Sequence, residues 1–310
     1  MTVSSGLSPA PASRGVGDLP FGFLVLDKPA GLTSHDCVSR VRRAYGLRRV
    51  GHGGTLDPAV TGVLPIALGP ATRLLPYLVG DKSYRGVIQL GLRTSSDDLQ
   101  GEPLEHRPVP PLDQGALERA LEPFRGEILQ RPPAVSAVHV DGERAHVRAR
   151  RGETLALPSR PVTITALELL GWDAATAQLE LRIDCSAGTY VRSLARDLGA
   201  ALGCGGALAS LRRTAALGFH LDQACDLEAL ALEPRPPLID PLVALAHLPQ
   251  RRLSEAEWPS WRCGRRLIDD TGVAADQPVV ILDPDGALAG LARGDGAGQL
   301  QPRLVLDPAG

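Results

Sequence analysis

The chain has 310 residues, 44% hydrophobic and 22% charged, with a formal net charge of −2. That length holds one large domain plus a small one, and no apolar run approaches the roughly 18 residues of a membrane-spanning helix. A near-zero total excludes nucleic-acid binding through bulk charge alone, yet phosphate contacts are local, so distribution outweighs the sum.

The opening residues are rich in Ser, Pro, Gly and Ala. They lack the apolar stretch of a secretory signal and read as a loose tail over residues 1–20. The cytoplasm is therefore the expected compartment. Gly22-Phe-Leu-Val-Leu-Asp27 is a short apolar run expected to form a buried strand, ended by Lys28-Pro29. Thr33 or Ser34 offers a helix N-cap; Val38, Val41 and Tyr45 follow on one face, and Gly46 is a C-terminal stop. Arg40 and Arg43 fall on the opposite face. Between Arg40 and Arg49 there are five arginines and no acid. A second basic cluster runs Arg144, Arg148, Arg150, Arg151. Arginine suits forked phosphate contacts, although a GC-rich genome gives the same bias.

The loop Gly51-His-Gly-Gly-Thr-Leu-Asp-Pro58 comes next. Tyr84, Gly86, Ile88 and Leu90 alternate with polar or smaller partners, which predicts a strand. Pro103 to Pro111 is expected to be a surface connection, followed by a helix carrying Leu117 and Leu121. Val162 to Leu170 is β-rich. Leu179, Leu181, Ile183 and Cys185 alternate strictly with Glu180, Arg182 and Asp184, the clearest half-buried strand. Gly188-Thr189 then turns into a helix, with Thr189 as its expected cap and Gly203 at its end. Prolines from Pro234 to Pro249 mark an expected boundary between a domain at 21–246 and a smaller one at 247–310. In the latter, Val279–Leu282 and Ala287–Leu291 flank the turn Asp283-Pro-Asp-Gly286, and short strands predict a small β-barrel.

Cys37, Cys185, Cys204, Cys225 and Cys263 are scattered and form no C-x-x-C pair, so they read as small buried side chains and no metal is predicted. The Gly51–Pro58 loop is neither a P-loop, lacking G-K-[ST], nor a dinucleotide fingerprint. It offers Asp57 held against a proline, five residues after His52. Taken alone, that is equally a Gly-rich turn with a capping aspartate. Arg192, just past a strand end, can hold and orient a carboxylate; in isolation it reads as well as a solvated side chain. Tyr84 alone reads as a core aromatic.

The order of these segments adds information. G-F-L-V-L-D-K-P at Gly22–Pro29, G-H-G-G-T-L-D-P-A-V-T-G at Gly51–Gly62, Tyr84-Arg85, R-P-P-A-V-S-A-V-H-V-D-G at Arg131–Gly142, C-S-A-G-T-Y-V-R at Cys185–Arg192 and Leu211-Arg-Arg213 together resemble the bacterial tRNA pseudouridine-55 synthase family, TruB. The resemblance runs from about Gly22 into the C-terminal region. It implies an α+β fold: the mixed, mainly antiparallel sheet of pseudouridine synthases with flanking helices, then a small all-β PUA-like RNA-binding domain. It makes Asp57 the catalytic carboxylate and Tyr84 the aromatic stacked on the target base, with a part in the late proton transfer. Arg192 becomes the partner of Asp57, Tyr190 a pocket residue, Leu211 a uracil-pocket wall and His52 a wedge that opens the RNA loop. Gly53, Thr55, Lys28, Arg40 and Arg43 are further expected substrate contacts. The sequence departs from the family where Gly53 replaces a common threonine, His139 and Arg73 a lysine, and His146 a tyrosine.

The implied reaction exchanges a C–N glycosidic bond for a C–C bond, needs no cofactor, and acts on the T-arm of tRNA by base flipping. No membrane and no obligatory protein partner is expected, and the chain is expected to be a monomer. Whether Asp57 attacks C1′ or removes a proton from C2′ stays open. Two rival classes are a non-catalytic RNA-binding or RNA-folding protein, and a glycosidase or nucleoside hydrolase built on one aspartate.

Overall fold

A computed structural model describes residues 20–134, 139–140, 143–144 and 157–306. The expected tail up to residue 19, His146 and the basic residues Arg148, Arg150 and Arg151 lie outside them.

The apolar run at the start is strand β1 (Gly22–Lys28). Thr33 then caps helix α1 (Ser34–Tyr45) through a reciprocal box with Asp36, and Gly46 closes it in the left-handed conformation. Strands β2 (Val50–His52), β3 (Thr61–Leu68), β4 (Lys82–Leu90), β5 (Leu92–Thr94) and β6 (Pro103–His106) follow. The proline-rich segment is thus partly strand, because Pro103 opens a short strand and its missing N–H is tolerated there. Helix α2 (Gln114–Leu121) buries Leu117 and Leu121 completely, and strand β7 (Gly126–Gln130) leaves it. Two short paired strands, β8 (His139–Val140) and β9 (Glu143–Arg144), precede the long hairpin of β10 (Arg160–Asp173) and β11 (Gln178–Cys185).

Helix α3 (Val191–Ala201) has Tyr190, not Thr189, at its N-cap. Gly188 and Thr189 are used up in a turn, with Thr189 N–H donating to Ser186 O at 3.4 Å. The Tyr190 amide is satisfied from outside, by Oε1 of the buried Gln130 at 2.8 Å. Strands β12 (Gly206–Ala216) and β13 (Phe219–His220) complete the large sheet. Strands β14 (Gln250–Arg252), β15 (Leu267–Ile268), β16 (Pro278–Leu282), β17 (Leu288–Gly294) and β18 (Gln299–Val305) form a second one. Its outer strands β14 and β15 do not pair, so this sheet is open and not the closed barrel expected.

The nine-stranded sheet has the order β1-β3-β12-β4-β11-β10-β7, with β2 added on β3 and β13 on β12. Every pairing is antiparallel except β3 with β12, where Arg212 and Arg213 lie opposite Thr61 and Gly62. The free edge of β1 is covered by the later chain: Cys225 and Ile239 N–H groups donate to Val25 and Phe23 carbonyls at 3.0 and 2.7 Å. Helices α1, α2 and α3 pack on one face through Val38, Val41, Leu117, Leu194 and Leu198 against Leu64, Ile66, Ile88 and Ile183. The opposite face, with Phe23, Val25 and Val63, shares a core with Val280, Leu291 and Leu304 of the second sheet. Each such fully buried aliphatic or Phe side chain contributes about 1.5–3 kcal/mol. Cys37, Cys185 and Cys204 are buried as expected, while Cys225 is half-buried and Cys263 exposed. No helix among the described residues is long and apolar enough to cross a membrane.

Candidate active site

The Gly-rich loop joins β2 to β3 and is held from four sides. Gly53 N–H donates to Pro65 O at 2.8 Å. Ser34 Oγ, at the first turn of α1, accepts from Leu56 N–H at 2.9 Å and lies 3.2 Å from Leu56 O. Lys28, fully buried at the end of β1, donates to Pro29 O at 2.8 Å and Pro58 O at 3.1 Å. Gly31 N–H adds a second bond to Pro58 O at 2.9 Å. Arg213 of β12 reaches Gly54 O at 3.1 Å. Leu56 is buried beneath the loop, so its neighbour Asp57 is turned outward, with 47% of its side chain exposed.

Arg192, in the first turn of α3, meets Asp57 there: Nη2 lies 3.0 Å from Oδ2, and the arginine side chain is only 9% exposed. Asp98 supports it from behind at 3.6 Å. Arg192 Nη1 also donates to Ser96 O at 3.1 Å. Alongside it, Arg196 pairs with Asp97 at 2.9 Å. A buried guanidinium gripped on two sides presents a fixed positive edge to an accessible carboxylate. Asp98 and Ser96 were not legible as site residues; the only signal was an acid pair in a turn between two strands.

Tyr84 faces the helix side of β4, 7% exposed, opposite Arg213 in the β4–β12 pairing. Burial pushes its phenol up, and the adjacent Arg213 guanidinium opposes that. Leu211 sits two residues along on the same face of β12 and would touch a Cβ on Gly86 at 3.1 Å. Tyr190 is half-buried at the α3 N-terminus. The structure therefore brings Asp57, Arg192, Tyr84, Tyr190 and Leu211 to the central strands β3, β12 and β4 and to the adjoining end of α3.

The remaining expected contacts separate. Lys28 is buried under the loop and braces it. Thr55 is exposed on the loop. A Cβ at Gly53 would come within 2.5 Å of Leu217 Cδ1, so here a leucine tip takes the room a larger residue would use. Arg40 and Arg43 are exposed on α1. Beside them an open groove of about 510 Å³ is lined by His35, Arg42, Arg48, Arg49, His52 and Thr72, without a carboxylate. Burial pushes the His52 imidazole down, and its Nδ1 is buried without a partner.

The model of the TruB family pseudouridylate synthase N-terminal domain matches residues 42–191, and that of the tRNA pseudouridylate synthase B C-terminal domain matches 192–233. A tRNA pseudouridine synthase B from Parasynechococcus marenigrum (strain WH8102) is 65% identical over 293 residues, covering 94% of this chain and 100% of the relative. One of the same name from Prochlorococcus marinus (strain MIT 9313) is 53% identical over 318 residues, covering 94% and 99%. Among solved structures, a Cbf5-Nop10-Gar1 complex contains a chain with a TM-score of 0.70 at 25% identity, covering 96% of this chain and 92% of that one. An H/ACA RNP bound to a substrate RNA shares the fold at TM-score 0.71 and 24% identity, covering 98% and 93%.

Proposed function

This chain belongs to the TruB family of pseudouridylate synthases, and on that premise we propose that it converts uridine to pseudouridine at position 55 in the T-loop of tRNA, with Asp57 as the catalytic carboxylate. The observation that carries the reading is the Asp57–Arg192 pair, an accessible carboxylate aimed by a buried, doubly held guanidinium.

A base inside a folded RNA loop has to leave its stack before any side chain can reach C1′, at a cost of a few kcal/mol. The basic groove with Arg42, Arg48 and Arg49, continued by Arg40 and Arg43 on α1, supplies phosphate contacts beside the loop. His52, at the junction of groove and loop, is placed to enter the RNA loop. Tyr84 offers the flipped base a stacking partner, returning about 1–3 kcal/mol, and Leu211 an apolar wall.

Breaking the glycosidic bond builds positive character at C1′, as in glycoside hydrolysis. An anchored carboxylate stabilises that charge, or bonds to it, without reorganising; removal of a proton from C2′ uses the same carboxylate. The detached uracil turns, C5 bonds to C1′, and the C5 proton leaves with Tyr84 in position to take part. The small β domain at 247–310 is read as a PUA-like RNA-binding unit, the chain as a cytoplasmic monomer.

The test incubates the protein with an unmodified tRNA transcript and maps pseudouridine by carbodiimide labelling and primer extension, with Asp57→Ala in parallel. A single stop in the T-loop that disappears in the variant is the expected result. Binding without any stop would leave an RNA-binding protein, and release of free uracil would mean a hydrolase.

A further inference from the structure

Among the described residues Arg213 is the largest fully buried charged side chain, in the centre of the nine-stranded sheet. Among the described residues it has no carboxylate partner. Its Nε donates to Val63 O at 2.8 Å and its Nη2 to Gly54 O at 3.1 Å. Nη1 is buried without a hydrogen-bond partner among the described residues, and Tyr84, its cross-strand neighbour, carries the group that favours the charged guanidinium. Burying a cation costs several kcal/mol unless it is compensated, and neutral carbonyls compensate it poorly. A second cation converges on the same place. A Cβ on Gly54 would lie 3.5 Å from Arg213 Nη1 and 3.9 Å from Lys82 Nζ, and Lys82 shares a strand face with Tyr84. Lys82 has its amine pushed down by burial and by Arg213.

We propose that Arg213, assisted by Lys82, is a positioning residue that locks the Gly54 carbonyl and the Tyr84 hydroxyl into one frame and stabilises the phenolate form of Tyr84 for the closing proton transfer. The inference rests on the reading of the site given above. In that step the C5–H bond of the new C-glycoside breaks and its proton passes to the phenolate oxygen. The resulting phenol returns one proton to N1, directly or through water, so the sum is a tautomerisation with no net proton change. The charged and titratable groups facing Tyr84 are Arg213 from β12, Cys185 from β11 and Asp57 from the loop, with Lys82 on its own strand. Arg213 pulls the phenol down, whereas Cys185 and Asp57 push it up. Arginine is thus the main group opposing burial.

The experiment follows single-turnover tritium release from tRNA labelled at C5 of uridine, across pH, and repeats it with deuterium at C5. Arg213→Gln is compared with Arg213→Lys and Tyr84→Phe, and tRNA affinity is measured for each. In Arg213→Gln the rate at neutral pH is expected to fall about tenfold or more, one unit of proton affinity being tenfold in phenolate. Its rising limb should move to higher pH and a primary C5 isotope effect should emerge, with tRNA affinity unchanged. Arg213→Lys, which keeps a buried cation and the fold, should recover part of the rate and of the limb. A folded Arg213→Gln or Arg213→Lys with an unshifted limb and no isotope effect overturns the proposal, even if Tyr84→Phe has lost tritium release and the Tyr84 reading stands. Tritium release by Tyr84→Phe at the parental rate would instead remove that reading, and the proposal with it.

Discussion

Replacing Lys28 with methionine separates two roles that a lysine near a nucleic-acid site can have. Its amine is buried and donates to Pro29 O and Pro58 O. Removing it leaves the Pro29 carbonyl without that donor, a loss of about 1–3 kcal/mol. Pro58 O keeps the Gly31 N–H at 2.9 Å, so its share is nearer 0.5–1.5 kcal/mol. Against this, the buried ammonium costs several kcal/mol that a thioether of similar shape does not. The net change in stability is therefore within about 2 kcal/mol of zero. Function is more sensitive. Pro58 follows Asp57 directly, and a displacement of about 1 Å at the reacting carboxylate is enough to cost roughly 100-fold. Lys28→Met should melt close to the parent, bind tRNA with parental affinity, and react at least about tenfold more slowly in a single turnover. A variant whose chemical step is intact while tRNA affinity collapses would show Lys28 touching RNA, and the bracing argument would be wrong. Unchanged rate and affinity together would sink it equally.

Asp98→Ala loosens Arg192 from one side while Ser96 O still holds it; single-turnover rate should drop about tenfold, ~1.4 kcal/mol of transition-state stabilisation, at parental tRNA affinity. A Cβ at Gly62 would lie 2.1 Å from the Arg213 carbonyl at a φ of +101°, so Gly62→Ala should lose more than about 4 kcal/mol in denaturant unfolding; parental stability would contradict the β3–β12 register. For Glu257, burial acts upward, but the Arg251 guanidinium and the Ser254 N–H and hydroxyl outweigh it and hold the carboxyl down to about 2. A lowered value means stability present above the ordinary glutamate range and lost as pH falls from 4.5 to about 2. Thermal melts down this range should show a loss in the parent that is smaller in Glu257→Gln.

The parts of the site legible in the sequence were those whose residue types are costly to place by chance: an aspartate against proline after three glycines, and an arginine directly after a strand-to-helix turn. Strict alternation likewise exposed β4 and β11, because each has one wet face. Strand β3 escaped notice since Thr61–Leu68 is buried on both faces and carries Pro65, so it shows neither period nor β-like composition. Strand β12 hid for another reason. Its pattern is interrupted by register shifts after Leu208 and after Arg213, and two adjacent arginines point to opposite faces, one of them inward. The bracing role of Lys28 could not be read beforehand, because burial of a lysine is rare enough that exposure is the natural expectation. The support given to Arg192 by Asp98 depends on contacts nearly a hundred residues apart, which no local spacing encodes.

The place of β12 between β3 and β4 also sets an order in time. Residues 20–68 build one half-sheet and residues 82–90 with 126–185 the other, and the two share no pairing until residues 206–216 arrive between them. On a ribosome the first half-sheet is out of the tunnel long before its neighbour exists, with the Thr61–Gly62 end of the inner edge of β3 unpaired meanwhile. Contacts spanning about 150 residues, such as Arg213 to Val63, make closure a slow, late event. The same insertion delivers Arg213 to the Asp57 loop and to Tyr84, so a nascent chain gains its reactive centre in the step that closes its backbone ladder.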